Sequence, residues 1–257
     1  MANLHTKDIN EERHGVPIMN SQRNINLQFK HEPLFGCPIY KIKINPGSYD
    51  KEQILSNIEH NYSLNSFRNN PLTGDECMIH HSHRDFDNED FTPINYDKLQ
   101  AVYDESIKQF FDDVYPIKRG YGWKCQIINY ACITKGQWLV KHNHLPHDDF
   151  STVHYLRLKK DHTPTRFYNP ADFASYVKDL QPTLFDKLEN NPVNSYMFET
   201  WIPQAEEDDM IIFPSALQHD IPLQTSDENR ITISTNIEIN APPWVERHPL
   251  RRVYKHE

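Results

Sequence analysis

From Tyr121 to Ile239 the chain reads with a period of two, in segments so closely spaced that few helices fit between them. GWKCQIINYACI (Gly122–Ile133) predicts a long strand, Gly136–His144 a second and Ser151–Leu158 a third. An insert runs from Asp161 to Asn194, with helical character in ADFASYVKDLQPTLFDKLEN. Short strands return at Ser195–Ile202, Met210–Phe213 and Arg230–Ile239. Such a succession suggests a sandwich or barrel over about 121–240, with helices segregated upstream in a supporting region, 48–116.

The upstream pattern agrees. A helix is expected from about Asp50 to Tyr62, with Ser48 and Asp50 as N-cap candidates. Residues 97–114 predict a second, because Leu99, Tyr103, Ile107, Phe110, Phe111 and Val114 recur at helical spacing. That stripe is a packing face for a sheet, and Pro116 ends it. LFGCPIYKIKI (Leu34–Ile44) alternates as a further strand, whose exposed character permits a homodimer as well as a monomer. Residues 1–30 read as a polar arm, 63–96 as mostly loop, and 31–257 as one domain. There is no internal repeat.

Composition narrows the function. Thirteen Phe, thirteen Tyr and eighteen Pro against seven Gly fit a β-rich, irregularly connected fold. A net charge of −9 argues against nucleic acid or an anionic membrane as main partner. The N-terminus lacks an apolar signal-peptide core, and no apolar run could span a bilayer, so a soluble cytoplasmic protein is expected. Cys37, Cys77, Cys125 and Cys132 form no CxxC and read as reduced thiols. Fifteen His make a metal plausible without locating it.

The location comes from GQWLVKHNHLPHDDFSTVHY (Gly136–Tyr155). Alternation puts Trp138, Val140, His142 and His144 on one face of a strand, with the two imidazoles about 6–7 Å apart at Cα. That spacing lets two ring nitrogens converge on one metal at about 2.1 Å. A second stretch, Asp208–Asn236, adds His219 and Arg230. The cluster His80-His81-Ser82-His83 competes as a metal site, but its charged, turn-prone neighbours favour a solvated loop. His147 could touch substrate from its loop; His154 reads as a packed or surface histidine.

In the last strand Arg230, Thr232, Ser234 and Asn236 share one face, while Ile231, Ile233, Ile237 and Ile239 share the other. Periodicity alone favours an apolar face on the core and a polar face in water. The inverse arrangement packs the isoleucines under the helices and lines an internal cavity with the polar face. His219, entering a strand after IIFPSALQ with Arg230 eleven positions later, repeats a known arrangement, and that resemblance favours the inverse.

These blocks resemble the Fe(II)/2-oxoglutarate dioxygenase superfamily, and within it a bacterial and phage group of oxygenases. GQWLVKHNH is similar to the strand carrying the first two metal ligands in prolyl-hydroxylase-like members. DFSTVHYL resembles the small-residue-plus-aromatic strand of the oxygenase group. DDMIIFPSALQHDIPLQTSDENRITISTNI resembles the C-terminal block, where an apolar strand ends in Phe-Pro, then a His, then Arg-x-Ser/Thr. The layout covers roughly Phe35–Ile239.

The resemblance implies a double-stranded β-helix (jelly-roll, cupin-like) core with flanking helices. It implies Fe(II) held by His142, His144 and His219, three facial ligands with open positions opposite. Arg230 would hold the distal carboxylate of 2-oxoglutarate as a bidentate fork, assisted by Thr232. Asn129 and Tyr130 lie on opposite faces of their strand, so one points inward; the family pattern favours Tyr130. Asn236 and Tyr155 are weaker candidates for the same pocket. The implied activity is O2-dependent hydroxylation of a small-molecule or peptide substrate, releasing succinate and CO2. Most members have a carboxylate where His144 stands, and Asp148 or Asp149 could supply one if the loop folds back. A three-histidine, cupin-like metalloenzyme without 2-oxoglutarate, and a non-catalytic binding module, are the alternative readings. The insert 161–194 and the loop from Arg68 to Asp90 are candidate substrate lids.

Overall fold

The alternating segments become two antiparallel sheets in the computed structural model, which describes residues 37–64, 69–70, 74–78, 80–82, 89–145, 148–170 and 199–242. The expected arm (1–30) and residues 171–194 of the expected insert lie outside these. In chain order, β1 (Tyr40–Lys43) leads through a 3-10 turn to α1 (Lys51–Leu64). Three short strands follow where the sequence reads as loop: β2 (Asn69–Asn70), β3 (Gly74–Met78) and β4 (His80–His81). Next come α2 (Asp97–Gln109), which runs into a π-helical turn (Phe110–Val114), then β5 (Gly122–Ile133) and β6 (Leu139–His142). The rest is strand: β7 (Phe150–Arg157), β8 (Arg166–Tyr168), β9 (Thr200–Trp201), β10 (Asp209–Pro214), β11 (His219–Ile221) and β12 (Arg230–Asn240).

The larger sheet has the order β1-β10-β7-β12-β5-β4, the smaller one β6-β11-β8-β9. From β5 to β12 the chain passes back and forth between the two sheets, with β8 and β9 an antiparallel pair in the smaller one, and the strands interleave as β10-β7-β12-β5 and β6-β11-β8-β9. This is the double-stranded β-helix. β8 lies inside the stretch expected as an insert, so that stretch opens with a core strand.

The helices pack on the outer face of the larger sheet. Leu99, Tyr103 and Ile107 of α2 and Ile58 of α1 are fully buried against Ile231, Ile233 and Ile237 of β12. Each such side chain stabilises the fold by roughly 1.5–3 kcal/mol. The isoleucines of β12 therefore face the helices, and Arg230 and Thr232 turn into the barrel, both buried. The inverse arrangement is the one adopted, because α1 and α2 supply the second apolar layer that Ile231 and Ile233 need.

One irregularity sets which residues of β5 look inward. Pairing with β12 runs Ser234↔Asn129 and then Thr235↔Ile127, skipping Ile128. This bulge inverts the alternation. Below it, Trp123, Cys125 and Ile127 pack with the helices; above it, Tyr130 and Cys132 do. Gln100 of α2 fastens the backbone there, accepting from the Ile127 N–H and donating to the Cys125 carbonyl. Among the described residues no helix is long and apolar enough to cross a membrane.

Candidate active site

β6 and β11 are neighbours in the smaller sheet, and their register sets His142 directly opposite His219. Their ring centroids are 4.3 Å apart. His144 does not sit in the strand as alternation implies, because β6 ends at His142. The chain is turned instead by the His144 N–H donating to the Ser215 carbonyl at 3.0 Å. The His144 ring still reaches the other two, at 5.4 Å from His142 and 5.2 Å from His219. One ligand atom from each of the three lies within 4.8 Å of the others, a grouping that could hold a metal ion.

Hydrogen bonds orient each ring. Nδ1 of His142 faces the Val140 carbonyl at 2.9 Å, and Nδ1 of His219 faces the Leu217 carbonyl at 3.0 Å. A carbonyl only accepts, so both Nδ1 atoms carry the proton, leaving each Nε2 lone pair for a metal. Nδ1 of His144 is 2.9 Å from Oδ1 of Asn236, with the same consequence.

The rings are held neutral as well as oriented. Burial lowers the pKa of all three, and His219 falls to about 3, with His142 beside it as a further cause. Phe213 meets the His219 ring edge-on at 4.8 Å, an apolar wall beside it. Neutral imidazoles are the ligand form of histidine.

The cavity beside the histidines is lined by Asn129, Thr165, Thr232 and Ser234 among others. Arg230, fully buried, meets the wall of this cavity at Thr165. Its Nη2 donates to Thr165 Oγ1 at 3.3 Å, and its guanidinium lies 5.2 Å from the Tyr155 ring centroid. Nε and Nη1 have no hydrogen-bond partner. Burial pulls the guanidinium below its usual pKa, opposed by Tyr155. A buried cation with two unpartnered donor nitrogens costs several kcal/mol unless an anion joins it. A carboxylate fits that requirement.

The expected site residues divide as follows. His142, His144 and His219 come together. Thr232 lines the cavity, and Asn236 touches His144. Tyr155 packs at Arg230, with its hydroxyl accepting from the Thr165 N–H at 3.0 Å. Tyr130 does not enter the pocket: it packs among the helix-facing residues, and Asn129 lines the cavity in its place, because of the bulge at Ile128. Neither aspartate joins the histidines: Asp148 accepts from the Asn236 amide, and Asp149 from the Ile239 N–H at 2.7 Å. His154 is a packed histidine on the helix side, with Nδ1 2.6 Å from the Tyr103 hydroxyl. The backbone of His80 and His81 pairs as an edge strand with Cys132 and Ala131. His83 and His147 lie outside the described residues, as do the His80 and His81 side chains. Thr165 lies in the stretch that the sequence presents as an insert, although Thr-Arg-Phe-Tyr after a proline is a short strand pattern.

No curated protein matches the chain. Among solved structures it is similar to a prolyl-4-hydroxylase from Pseudomonas putida, at 10% identity and TM-score 0.45, covering 79% of this chain and 92% of that one. It is also similar to a Trichoplax adhaerens prolyl hydroxylase in complex with a hypoxia inducible factor peptide fragment. The figures there are 14% identity, TM-score 0.45, 78% of this chain and 83% of that one. A third is HygX from Streptomyces hygroscopicus with nickel and 2-oxoglutarate bound, at 10% identity and TM-score 0.40, covering 81% and 84%. Residues 130–236, the stretch that holds the three histidines and Arg230, match the model of the family described as "Putative 2OG-Fe(II) oxygenase", and so the resemblance of the sequence and its expected cofactors, Fe(II) and 2-oxoglutarate, agree with that family.

Proposed function

We propose that this protein is a non-haem Fe(II)- and 2-oxoglutarate-dependent oxygenase that hydroxylates a small-molecule or peptide substrate. The observation that carries this reading is the pairing of three neutral, converging imidazoles with a buried guanidinium that has two unpartnered donor nitrogens. A ferrous ion with 2-oxoglutarate would supply O2 activation coupled to release of succinate and CO2. His142, His144 and His219 would hold the metal through their Nε2 lone pairs. Arg230 anchors the far carboxylate of 2-oxoglutarate, with Thr232 and the Tyr155 hydroxyl beside it and Asn129 on the cavity wall. Phe213 forms an apolar wall against His219.

The test is succinate formation from 2-oxoglutarate by Fe(II)-loaded protein under O2, without added substrate. Slow succinate release that needs both iron and O2 is expected, and its loss in His219→Ala. One observation favours a second reading: three imidazoles stand where the commoner facial set has two and a carboxylate. A three-histidine metalloenzyme of cupin type would bind metal, form no succinate, and be indifferent to Arg230→Ala.

A further inference from the structure

We infer that Asp148 and Asn236 are positioning residues for His144, forming a relay that supplies a carboxylate one residue removed from the metal. The inference rests on the reading of His144 as a metal ligand. Of the three histidines, His142 and His219 are oriented by backbone carbonyls two residues earlier in their own segments. His144 alone is oriented by a side chain, Asn236.

An amide can offer either its oxygen or its NH2. With the NH2 toward Nδ1, the ring would have to carry its proton on Nε2, and the metal-facing lone pair would be lost. Two contacts decide the matter. The Asn236 NH2 donates to the Asp148 carboxylate, which only accepts. Ser151 Oγ, itself 2.8 Å from Ser215 Oγ, donates to Asn236 Oδ1 at 3.2 Å. The amide oxygen is therefore committed to His144, whose Nδ1–H must point at it. A carboxylate behind the amide also makes the ring a stronger donor to a cation. It thereby offsets part of the missing negative charge at a site of three neutral ligands.

The test uses the full chain with 15N-labelled histidine and Co(II) as the metal probe. In metal-free wild type, the His144 ring nitrogens are expected to show the Nδ1–H tautomer. In Asp148→Asn the tautomers should mix, and Co(II) affinity should fall about 10–100-fold. The double variant Asp148→Asn/Asn236→Asp exchanges amide and carboxylate while leaving an acceptor against Nδ1. It should recover the wild-type tautomer and most of the affinity. An Nε2–H tautomer in wild type overturns the relay, and that measurement needs no variant to fold. So does an Asp148→Asn protein with unchanged tautomer and affinity. If wild type takes up no Co(II), the metal-centre reading fails, and the tautomers alone decide the relay.

Discussion

Two buried histidines, one on each side of the larger sheet, look alike by every local measure. His154 and His219 are both buried, and burial lowers each to a pKa of about 3. Their neighbours separate them. His154 lies between sheet and helices, with Tyr103 at 2.6 Å, the Tyr49 ring edge-on, and Nε2 without a hydrogen-bond partner in an apolar layer. His219 turns its Nε2 toward two further imidazoles, beside a cavity whose wall residue Thr165 accepts from a buried guanidinium. Burial and a lowered pKa therefore do not make a site. Convergence of lone pairs does.

The largest expected effect is on the barrel side. His142→Ala or His219→Ala should abolish Co(II) or Fe(II) uptake, measured by calorimetry, while His154→Phe should leave it intact. Equal loss in all three variants would erase the contrast.

Next is the cosubstrate anchor. Arg230→Ala removes charge-assisted hydrogen bonds of about 1.5–3 kcal/mol each. It should weaken 2-oxoglutarate about 100-fold, and Arg230→Lys should not restore the fork. Arg230→Met should raise the melting temperature of the ligand-free protein, since it deletes a buried cation lacking an anion.

On the helix side, His154→Phe leaves the buried Tyr103 hydroxyl without its partner. It should destabilise the fold by about 1–3 kcal/mol in denaturant titration, against a smaller change for His219→Ala.

Both histidines act alike toward pH. Each has a folded pKa below its ordinary value of 6.5, so the unfolded chain takes up a proton that the folded protein refuses. Their contribution is full above about 6.5 and is lost as pH falls toward about 3, at up to about 1.4 kcal/mol per pH unit for each. Bound metal also excludes the proton from His219, so it should extend the loss from His219 to lower pH and leave that from His154 unchanged. The smallest effect separates the two faces of β5: Asn129→Ala should weaken 2-oxoglutarate a few-fold, and Tyr130→Phe should not.

The sequence shows how residues share faces, and much of the fold follows from that. The stripe of α2, the strands from Gly122 onward and the grouping of His142, His144 and His219 are all legible. Alternation does not say which layer a face meets. Ile231 and Ile233 point outward because helices cover them, and only His219 and Arg230, through the resemblance, hinted at this. Nor does it show a skipped residue: carried up from Cys125 and Ile127 it sends Tyr130 inward, and the bulge at Ile128 sends Asn129 instead. β8 is three residues behind a proline, too short for periodicity to register. The placement of Asp148 behind Asn236 depends on a contact between residues 88 apart, which no local pattern carries.

The central claim is that the histidines and Arg230 form one site for iron and 2-oxoglutarate. The direct measurement is an anaerobic titration of Fe(II)-loaded protein with 2-oxoglutarate, followed by visible charge-transfer absorption, with Arg230→Ala alongside. A band that grows to saturation in wild type and shifts to much higher concentration in the variant is the expected result. Iron bound with no band would contradict the claim.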